Sequence, residues 1–373
     1  MRILITGADG FIGKNLLLHF REMDTVECIS FTRRHSADEL PGLLQEVDWV
    51  FHLAGINRPK SIAEFSTGNV GLTESLCAAI KAAGRSIPVV LTSSIQADLD
   101  NDYGISKRAA EKALQTLHKS TGNPVFIYRL PNVFGKLARP NYNSVVATFC
   151  HNIARGLPIQ INDPSAVIPL VFIDDVIKSF KKLLIEENNK QDRFVEVSPL
   201  YSITVGELAD QLYRFKTSRD SLVTESVGKG LVRALYSTYV SYLPPESFSY
   251  AVKQHGDDRG VFVEMLKTTD SGQFSFFTAH PGVTRGGHYH HSKTEKFLVI
   301  KGEARFGFRH MVTGEFYELN TSGDVYRIVE TVPGWTHDVT NVGDQEMICM
   351  LWANEIFDHE QPDTFACPVS ADG

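Results

Sequence analysis

The sequence has 373 residues, of which 43% are apolar and 22% charged, and its formal net charge is −7. This length predicts two or three domains, each large enough for its own core. The negative charge argues against a broad basic surface for nucleic acid, and no apolar run reaches the roughly 18 residues that span a bilayer. The N-terminal apolar run is too short for a signal peptide, and the five scattered cysteines contain no Cys-x-x-Cys pair. We therefore expect a cytoplasmic protein with reduced thiols and with neither a membrane nor a nucleic-acid partner.

A short apolar strand over residues 2–6 is followed by a glycine-rich turn and then by a segment of helical composition. Glycines permit a tight turn and a close approach of backbone, and a helix N-terminus attracts a pyrophosphate. The order of strand, glycine turn and helix therefore predicts a dinucleotide site. The alternative is a turn with a structural role alone. The residues of the predicted site are Gly7, Gly10, Phe11, Ile12 and Gly13.

Two later strand ends extend this prediction. A second strand over residues 26–32 ends at Arg33-Arg34, in the region where an acidic side chain would bind a ribose 2′-hydroxyl. Two arginines suit a 2′-phosphate instead, which favours NADPH over NADH; the alternative is a solvated basic turn. The next strand ends at Leu53-Ala54-Gly55, where small residues let a cofactor pass over the strand tip.

The apolar run 89–91 predicts a buried strand that ends near Ser93 and Ser94, and Tyr103 and Lys107 follow in a segment of helical composition. Because the last two are four residues apart, they share one helix face. A neighbouring ammonium stabilises a phenolate, so we expect Lys107 to lower the pKa of Tyr103. Ser94, or Ser93 as a second candidate, is placed to hold a carbonyl oxygen. The alternative is an aromatic residue and a lysine on a solvated helix.

Strands and helices alternate up to residue 130, which predicts a doubly wound parallel sheet with helices on both faces. The motifs of this half resemble those of the extended short-chain dehydrogenase/reductase superfamily, in its nucleotide-sugar branch. The resemblance implies that Tyr103 is the general acid, that Lys107 holds the nicotinamide ribose and tunes Tyr103, and that Ser94 hydrogen-bonds the carbonyl. The matching segments are 7–13, 52–55, Asn69-Val70-x-x-Thr73, Ser94, Tyr103-x-x-x-Lys107 and Arg129-x-x-Asn132-Val133-Phe134-Gly135.

A polar loop follows over residues 132–144. Cations suit phosphates and amides suit hydroxyls, so we predict contacts to a sugar diphosphate; the alternative is an ordinary surface loop. The proline-marked segment 242–247 then predicts a boundary between a reductase domain over 1–245 and a second domain over 246–373. The candidate substrate residues of the loop are Asn132, Lys136, Arg139, Asn141, Tyr142 and Asn143.

Short alternating strands separated by glycine turns predict an all-β barrel or jelly roll in the second domain. His288 and His290 would point to the same side of a strand, and with Glu295 they form a set of metal ligands. Together with the turn from Pro333 to His337, the pattern resembles the two cupin boxes. That resemblance implies a divalent metal, Zn²⁺ above all, bound by His288, His290, Glu295 and His337. The alternative is a barrel lined by histidines without a metal.

The same segment also resembles the deoxysugar-nucleotide 3,5-epimerases of the rhamnose pathway, through Asp257-Asp258-Arg259-Gly260 and Arg285-Gly286-Gly287-His288-Tyr289. This second resemblance implies that His288 is a catalytic base rather than a ligand, and the two assignments stay open. It also implies that the barrel binds a nucleotide 4-keto sugar. The substrate-binding residues expected there are Arg259, Arg285, Lys296 and Arg309.

Over the whole chain, the combination resembles the bifunctional enzymes of UDP-N-acetyl-L-fucosamine biosynthesis for capsule or O-antigen. The resemblance implies a UDP-sugar substrate, epimerisation at C3 and reduction at C4 with NADPH. A homodimer is expected by analogy with related reductases. Two alternatives remain: a reductase whose cupin is only a metal-stabilised dimerisation module, and a regulatory protein that binds sugar nucleotides without turnover.

Overall fold

The computed structural model describes residues 1–59, 61–185, 193–325 and 327–370. The chain forms two compact units, Met1–Tyr213 with Lys229–Pro244 and Arg214–Gly228 with Pro245–Gly373. These units differ from the predicted domains in the segment 214–228, part of which forms a strand beside a sheet of the second unit. Within the described ranges, no helix is long and apolar enough to cross a bilayer.

Up to residue 244 the chain alternates strands and helices, as the sequence pattern indicates. The strands are β1 (Arg2–Thr6), β2 (Glu27–Phe31), β3 (Trp49–His52), β4 (Val89–Ser94), β5 (Val125–Leu130), β6 (Asn132–Phe134), β7 (Val167–Phe172), β8 (Arg193–Phe194), β9 (Tyr201–Thr204) and β10 (Val223–Thr224). The helices are α1 (Phe11–Phe20), α2 (Leu40–Leu43), α3 (Ala63–Phe65), α4 (Leu72–Ala83), α5 (Asp102–Thr121), α6 (Val145–Ala154), α7 (Ile173–Ile185), α8 (Val205–Ser221) and α9 (Gly230–Val240).

The first unit is built on a six-stranded parallel sheet in the order β2-β1-β3-β4-β5-β8. The central strands are short apolar runs because helices cover both faces of the sheet. Parallel strands are normally buried in this way. One face packs on α4 and α5, and each fully buried aliphatic side chain there contributes about 1.5–3 kcal/mol. A smaller sheet of β6, β7 and β9 lies in the same unit. The core of that face includes Leu4, Val50, Leu76, Ile80, Val89, Leu91, Leu114, Leu117 and Ile127.

The second unit is an all-β structure made of two sheets. Its remaining strands are β11 (Gln254–Asp257), β12 (Gly260–Thr268), β13 (Gly272–Ala279), β14 (Thr284–Tyr289), β15 (Glu295–Lys301), β16 (Glu303–His310), β17 (Phe316–Ser322), β18 (Ile328–Glu330), β19 (Trp335–Asn341), β20 (Met347–Ala353) and β21 (Phe365–Ala366).

One sheet has the order β10-β12-β13-β20-β15-β18, with β11 beside β12, and the other has the order β17-β16-β19-β14-β21. Alternating apolar residues of the two sheets form a shared core that includes Phe277, Phe297, Phe306, Phe308 and Val339. The predicted fold class is confirmed: a Rossmann-like doubly wound parallel sheet is followed by an all-β barrel of the jelly-roll type.

Candidate active site and metal centre

The glycine turn lies between the end of β1 and the start of α1. Gly7 has φ +70°, and a Cβ atom added there would lie 2.6 Å from the backbone N of Ala54. A Cβ at Gly13 would lie 2.4 Å from the carbonyl oxygen of Gly7. The turn and the end of β3 therefore touch through backbone alone. Gly10 is the N-cap of α1 and has no side chain that could accept the N–H groups of the first helical turn, at Phe11 and Ile12. These N–H groups can therefore bind an anion.

The two neighbouring strand ends lie beside this turn. The N–H of Gly7 donates to the carbonyl of Phe31 at 2.9 Å, so the end of β2 is adjacent to the turn. Arg33 and Arg34 follow β2 directly and are exposed. After β3, the segment Leu53-Ala54-Gly55 leads toward the catalytic helix, because a Cβ at Gly55 would lie 2.9 Å from Nζ of Lys107. The predicted cofactor residues thus line one edge of the sheet.

Tyr103 and Ser94 are brought together by the N-terminus of α5. The helix begins at Asp102 because the side chain of Asn101 accepts a hydrogen bond from the N–H of Gly104 at 2.8 Å. Gly104 packs so closely on the turn after β4 that a Cβ there would lie 2.2 Å from the carbonyl oxygen of Gln96. This contact places Tyr103, in the first turn of α5, beside Ser94 at the end of β4, where the serine hydroxyl acts on the pKa of the phenol.

The charges around Tyr103 differ from the sequence-based expectation. We expected Lys107 to lower the pKa of Tyr103, but burial raises it, and the neighbouring hydroxyl of Ser94 only partly opposes that effect. Nζ of Lys107 lies 5.9 Å from the centroid of the Tyr103 ring and donates to the carbonyl of Thr92 at 3.1 Å. Burial also lowers the pKa of Lys107 to about 8, against the opposing charge of Glu111. Tyr103 is therefore a protonated phenol at neutral pH, ready to donate.

Ser93 and Ser94 have different partners. The Ser93 hydroxyl donates to Glu111 at 2.5 Å, and Glu111 in turn forms a two-point ion pair with Arg129 at 3.0 and 2.7 Å. Arg129 also contacts Asp98 at 2.6 Å. Ser93 is therefore occupied in a buried charge network, whereas Ser94 faces the phenol, which favours Ser94 as the residue that holds a carbonyl.

A second hydrogen-bond network reaches the main chain of Tyr103. Asn69 donates from Nδ2 to the hydroxyl of Ser106 at 2.9 Å, and Ser106 donates to the carbonyl of Tyr103 at 2.7 Å. His52 lies between the hydroxyls of Thr6 and Thr73, at 2.7 and 2.9 Å. Burial, followed by the charge of Lys107, lowers the pKa of His52 to about 3, so this imidazole is neutral and structural.

The predicted substrate loop has mixed contacts. Lys136 is paired with Asp174 at 2.6 Å, and the Asn132 amide donates to the carbonyl of Pro169 at 3.0 Å. The Arg139 guanidinium lies 5.2 Å from the ring centroid of Tyr142, and Arg58 lies 5.9 Å from the same ring. Two exposed cations thus flank one aromatic ring, and sequence reasoning missed Arg58 because it precedes the loop by more than 70 residues. Asn141 and Asn143 are exposed in the same loop.

In the barrel, His288, His290, Glu295 and His337 converge. One ligand atom from each lies within 4.8 Å of every other, and Oε2 of Glu295 lies 3.2 Å from Nε2 of His290 and 3.4 Å from Nε2 of His337. The strands explain this arrangement. β14 pairs His288 with His337 of β19 after a bulge, His290 follows β14 by one residue, and Glu295 begins β15.

These four residues fit a divalent metal by the chemistry of their atoms. Both ring nitrogens of His337 are buried and have no hydrogen-bond partner within the described part of the chain, and a metal would satisfy one of them. Burial alone would raise the pKa of Glu295, but the close approach of His290 and His337 and the charge of Lys293 hold it well below its usual range. Burial, and then the charge of His337, lower the pKa of His288 to about 4. Three imidazoles and a carboxylate are a donor set for Zn²⁺.

The other cationic side chains predicted for the barrel have protein partners. Arg259 pairs with Asp257 in an exposed hairpin, and Lys296 pairs with Glu330. Arg285 donates from Nε to the carbonyl of Thr278 at 3.0 Å, while its Nη2 is buried and has no hydrogen-bond partner among the described residues. Arg309 donates to the carbonyls of Val369 and Pro368 at 2.8 and 2.7 Å.

Two family models match the chain. The NAD dependent epimerase/dehydratase family matches residues 3–197, and the polysaccharide biosynthesis C-terminal domain matches residues 255–365. A protein of Pseudomonas aeruginosa described as UDP-2-acetamido-2,6-beta-L-arabino-hexul-4-ose reductase is 62% identical over 371 residues, which cover 99% of each chain. A UDP-glucose 4-epimerase of Rickettsia canadensis is 24% identical over 238 residues, 54% of this chain and 68% of that protein.

Two solved structures are similar to this chain. The capsular polysaccharide assembling protein CapF from Staphylococcus aureus has a TM-score of 0.90 and 41% identity, covering 99% of this chain and 100% of that one. A UDP-glucuronic acid 4-epimerase from Bacillus cereus has a TM-score of 0.55 and 19% identity over 65% of this chain and 99% of that one, which shows the fold alone. With a family model over more than half its length and its glycine turn, Tyr103 and Lys107 in place, the chain belongs to the NAD dependent epimerase/dehydratase family and is built for a nicotinamide dinucleotide.

Proposed function

We propose that this protein epimerises C3 and then reduces the C4 keto group of UDP-2-acetamido-2,6-dideoxy-β-L-arabino-hexos-4-ulose, using NADPH. The product is the L-talo sugar nucleotide, which leads to UDP-N-acetyl-L-fucosamine for capsule or O-antigen. Support comes from the identity with the Pseudomonas aeruginosa reductase along the whole chain. The observation that carries the proposal is the buried phenol of Tyr103, which is protonated at neutral pH and lies beside Ser94 and Lys107.

In the reduction, the residues of the first unit handle the ketone oxygen. The Ser94 hydroxyl donates to that oxygen and holds it beside the phenol of Tyr103. When bound, the reduced nicotinamide supplies the hydride, which bonds to C4 as the C4–oxygen π bond opens. Tyr103 gives its hydroxyl proton to the oxygen, and the Lys107 ammonium stabilises the resulting phenolate until solvent restores the proton.

The choice of NADPH depends on Arg33 and Arg34. Both side chains are exposed directly after β2, next to the turn that approaches the pyrophosphate. A guanidinium binds a phosphate through short, charge-assisted hydrogen bonds. Its hydrogen bonds to a neutral 2′-hydroxyl are weaker. We infer that this pair selects the phosphorylated dinucleotide.

In the epimerisation, a base removes the proton on C3, which is acidic because the C4 ketone turns the carbanion into an enolate. A proton returned to the opposite face of C3 then inverts that centre. His288 is the more exposed member of the metal cluster, and its lowered pKa keeps it a free base at neutral pH. We therefore assign the base to His288 and the metal to His290, Glu295 and His337. When bound, the metal supplies positive charge for the enolate oxygen. The buried donor of Arg285 suits an anionic part of the substrate.

The predicted homodimer and the cytoplasmic location stay predictions. So does the alternative in which the barrel only stabilises a dimer. The two activities separate these possibilities, because hydride transfer needs Tyr103 and proton exchange at C3 needs the barrel.

The test follows NADPH oxidation and the entry of solvent deuterium at C3 in parallel. Tyr103→Phe should lower the rate of hydride transfer by about 10²–10⁴-fold, the usual contribution of a general acid, while deuterium still enters C3. His288→Asn should lose the exchange. Tyr128→Phe is the matched control, because it removes the same group, a phenolic hydroxyl, from a buried tyrosine of β5 whose hydroxyl contacts Ser179. Wild-type protein that consumes no NADPH with this substrate refutes the reductase, and unchanged exchange in His288→Asn refutes the assignment of the base.

A further inference from the structure

The C-terminal segment, defined here as residues 357–370, runs along the strands that carry the metal ligands. Its strand β21 pairs Ala366 with His288, and the N–H of Cys367 donates to the carbonyl of Gly287 at 2.8 Å. The hydroxyl of Thr336, next to His337, donates to the carbonyl of Cys367. The segment therefore contacts both strands, β14 and β19, that deliver histidines to the cluster.

One side chain of this segment, Asp363, caps the turn between His290 and Glu295. Its Oδ1 accepts the N–H of His291 at 2.8 Å. Its Oδ2 accepts the N–H of Ser292 at 2.7 Å, the N–H of Lys293 at 2.8 Å and the hydroxyl of Ser292 at 2.9 Å. Three consecutive N–H groups of the ligand-bearing turn thus share a single carboxylate.

The main chain of Asp363 acts on the ligand itself. Its carbonyl oxygen lies 2.6 Å from Nδ1 of His290, a distance at which the ring must donate from Nδ1. The Nδ1 proton is then held by this carbonyl, which leaves Nε2, 3.2 Å from Oε2 of Glu295, as the ring nitrogen that can bind a metal. A backbone carbonyl in this place sets both the tautomer and the orientation of a metal-binding histidine.

We propose that Asp363 is the positioning residue of the metal centre: it holds the turn from His290 to Glu295 in the geometry that binds the ion, and so sets the metal affinity of the barrel. The inference rests on the metal site of the proposed function and names a residue that touches no metal. A second ligand-bearing element, β19, is held by the same segment, so the barrel needs its C-terminal segment to present His290 and His337 together.

The experiment measures the zinc affinity of the full-length protein by competition with a chelating dye. Asp363→Asn keeps the shape of the side chain but replaces one carboxylate oxygen by an amide NH₂ group. Because this group is a donor, it cannot accept the backbone N–H groups of the turn. We expect the affinity for zinc to fall about 10–100-fold, as for other partners of metal-binding histidines. Asp358→Asn is the matched control, because this carboxylate in the same segment accepts only the N–H of Glu360 and should leave the affinity unchanged.

A second control tests whether any weakening of the contacts of the C-terminal segment would lower the zinc affinity. Arg309→Ala removes the hydrogen bonds to Pro368 and Val369 and leaves the capped turn intact. An equal loss of zinc affinity in Arg309→Ala would overturn the role of Asp363, as would an unchanged affinity in Asp363→Asn. If wild-type protein binds no zinc, the metal site itself is refuted. If Asp363→Asn does not fold, Ser292→Ala decides: loss of one hydroxyl bond should weaken binding about threefold, and no change contradicts the inference.

Discussion

The close packing of Gly104 gives a direct test of how the catalytic phenol is positioned. A Cβ at this residue would lie 2.2 Å from the carbonyl oxygen of Gln96 and 2.6 Å from that of Leu99. A relaxed carbon–oxygen contact is about 3.3 Å, so Gly104→Ala requires the start of α5 to move by about 1 Å away from the turn after β4. Tyr103 is the preceding residue and moves with it, away from Ser94.

The magnitude follows from two separate effects. Overpacking of a buried contact costs about 1–3 kcal/mol of stability. A displacement of about 1 Å at a reacting group lowers the rate about 10²-fold. We therefore expect Gly104→Ala to lower kcat for NADPH oxidation about 100-fold, with a smaller change in KM for NADPH because the glycine turn at Gly7 is not touched.

The assay compares steady-state kinetics and thermal unfolding of Gly104→Ala with those of Gly42→Ala. Gly42 lies in α2, where a Cβ would meet nothing within 4 Å, so the same substitution should leave kcat unchanged. In a helix it should also be neutral or slightly stabilising. A Gly104→Ala protein with wild-type kcat and wild-type unfolding temperature would show that α5 does not position Tyr103 in the way described.

Two further predictions concern charged residues of the same unit. Replacing both Arg33 and Arg34 by alanine should lower the ratio of kcat/KM for NADPH to that for NADH by about 10–100-fold, because charge-assisted bonds to a 2′-phosphate are lost; an unchanged ratio in kinetics with both dinucleotides would contradict the assignment. Lys107→Met should abolish reduction yet stabilise the protein, because burial lowers the pKa of Lys107 from 10.5 to about 8 and the charged form costs about 3 kcal/mol at pH 7. That cost disappears between about pH 8 and pH 10.5, because the unfolded chain binds more protons than the folded protein in this window. The free energy of unfolding of the wild type should therefore rise relative to that of Lys107→Met as the pH increases. A constant difference between the two free energies across this window would refute the prediction.

Local patterns in the sequence were enough for the skeleton of both sites. The glycine turn at residues 7–13, the helix face shared by Tyr103 and Lys107, and the His288, His290 and Glu295 set each occupy a short stretch whose spacing has a geometric meaning. The sequence pattern indicates a helix that carries Tyr103 and Lys107 but does not show that it begins at Asp102. The missed signal was Asn101, whose side chain caps the helix, and Gly104, whose place in the first turn is a matter of packing and is not visible in a propensity.

The parts that could not be predicted depend on contacts between distant residues. Asp363 caps a turn that lies 70 to 72 residues earlier in the chain. Ser93 and Ser94 are adjacent, yet only the structure separates them, because Glu111 occupies the first. The direction of the pKa shift at Tyr103 depends on how deeply the ring is buried, and spacing from Lys107 carries no information about burial.

The raised pKa of Tyr103 bears on the direction of the chemistry. A phenol that must give a proton to a ketone oxygen is most effective when it is protonated before the substrate arrives, whereas oxidation of an alcohol needs the phenolate as a base. Burial keeps Tyr103 protonated, which favours reduction. Lys107, with its pKa lowered to about 8, still carries its charge at pH 7 and stabilises the phenolate that proton transfer leaves. In the function proposed here, a reversible inversion at C3 produces two ketones, and an enzyme that removes one of them by reduction draws the inversion forward without any need for the barrel to prefer its product.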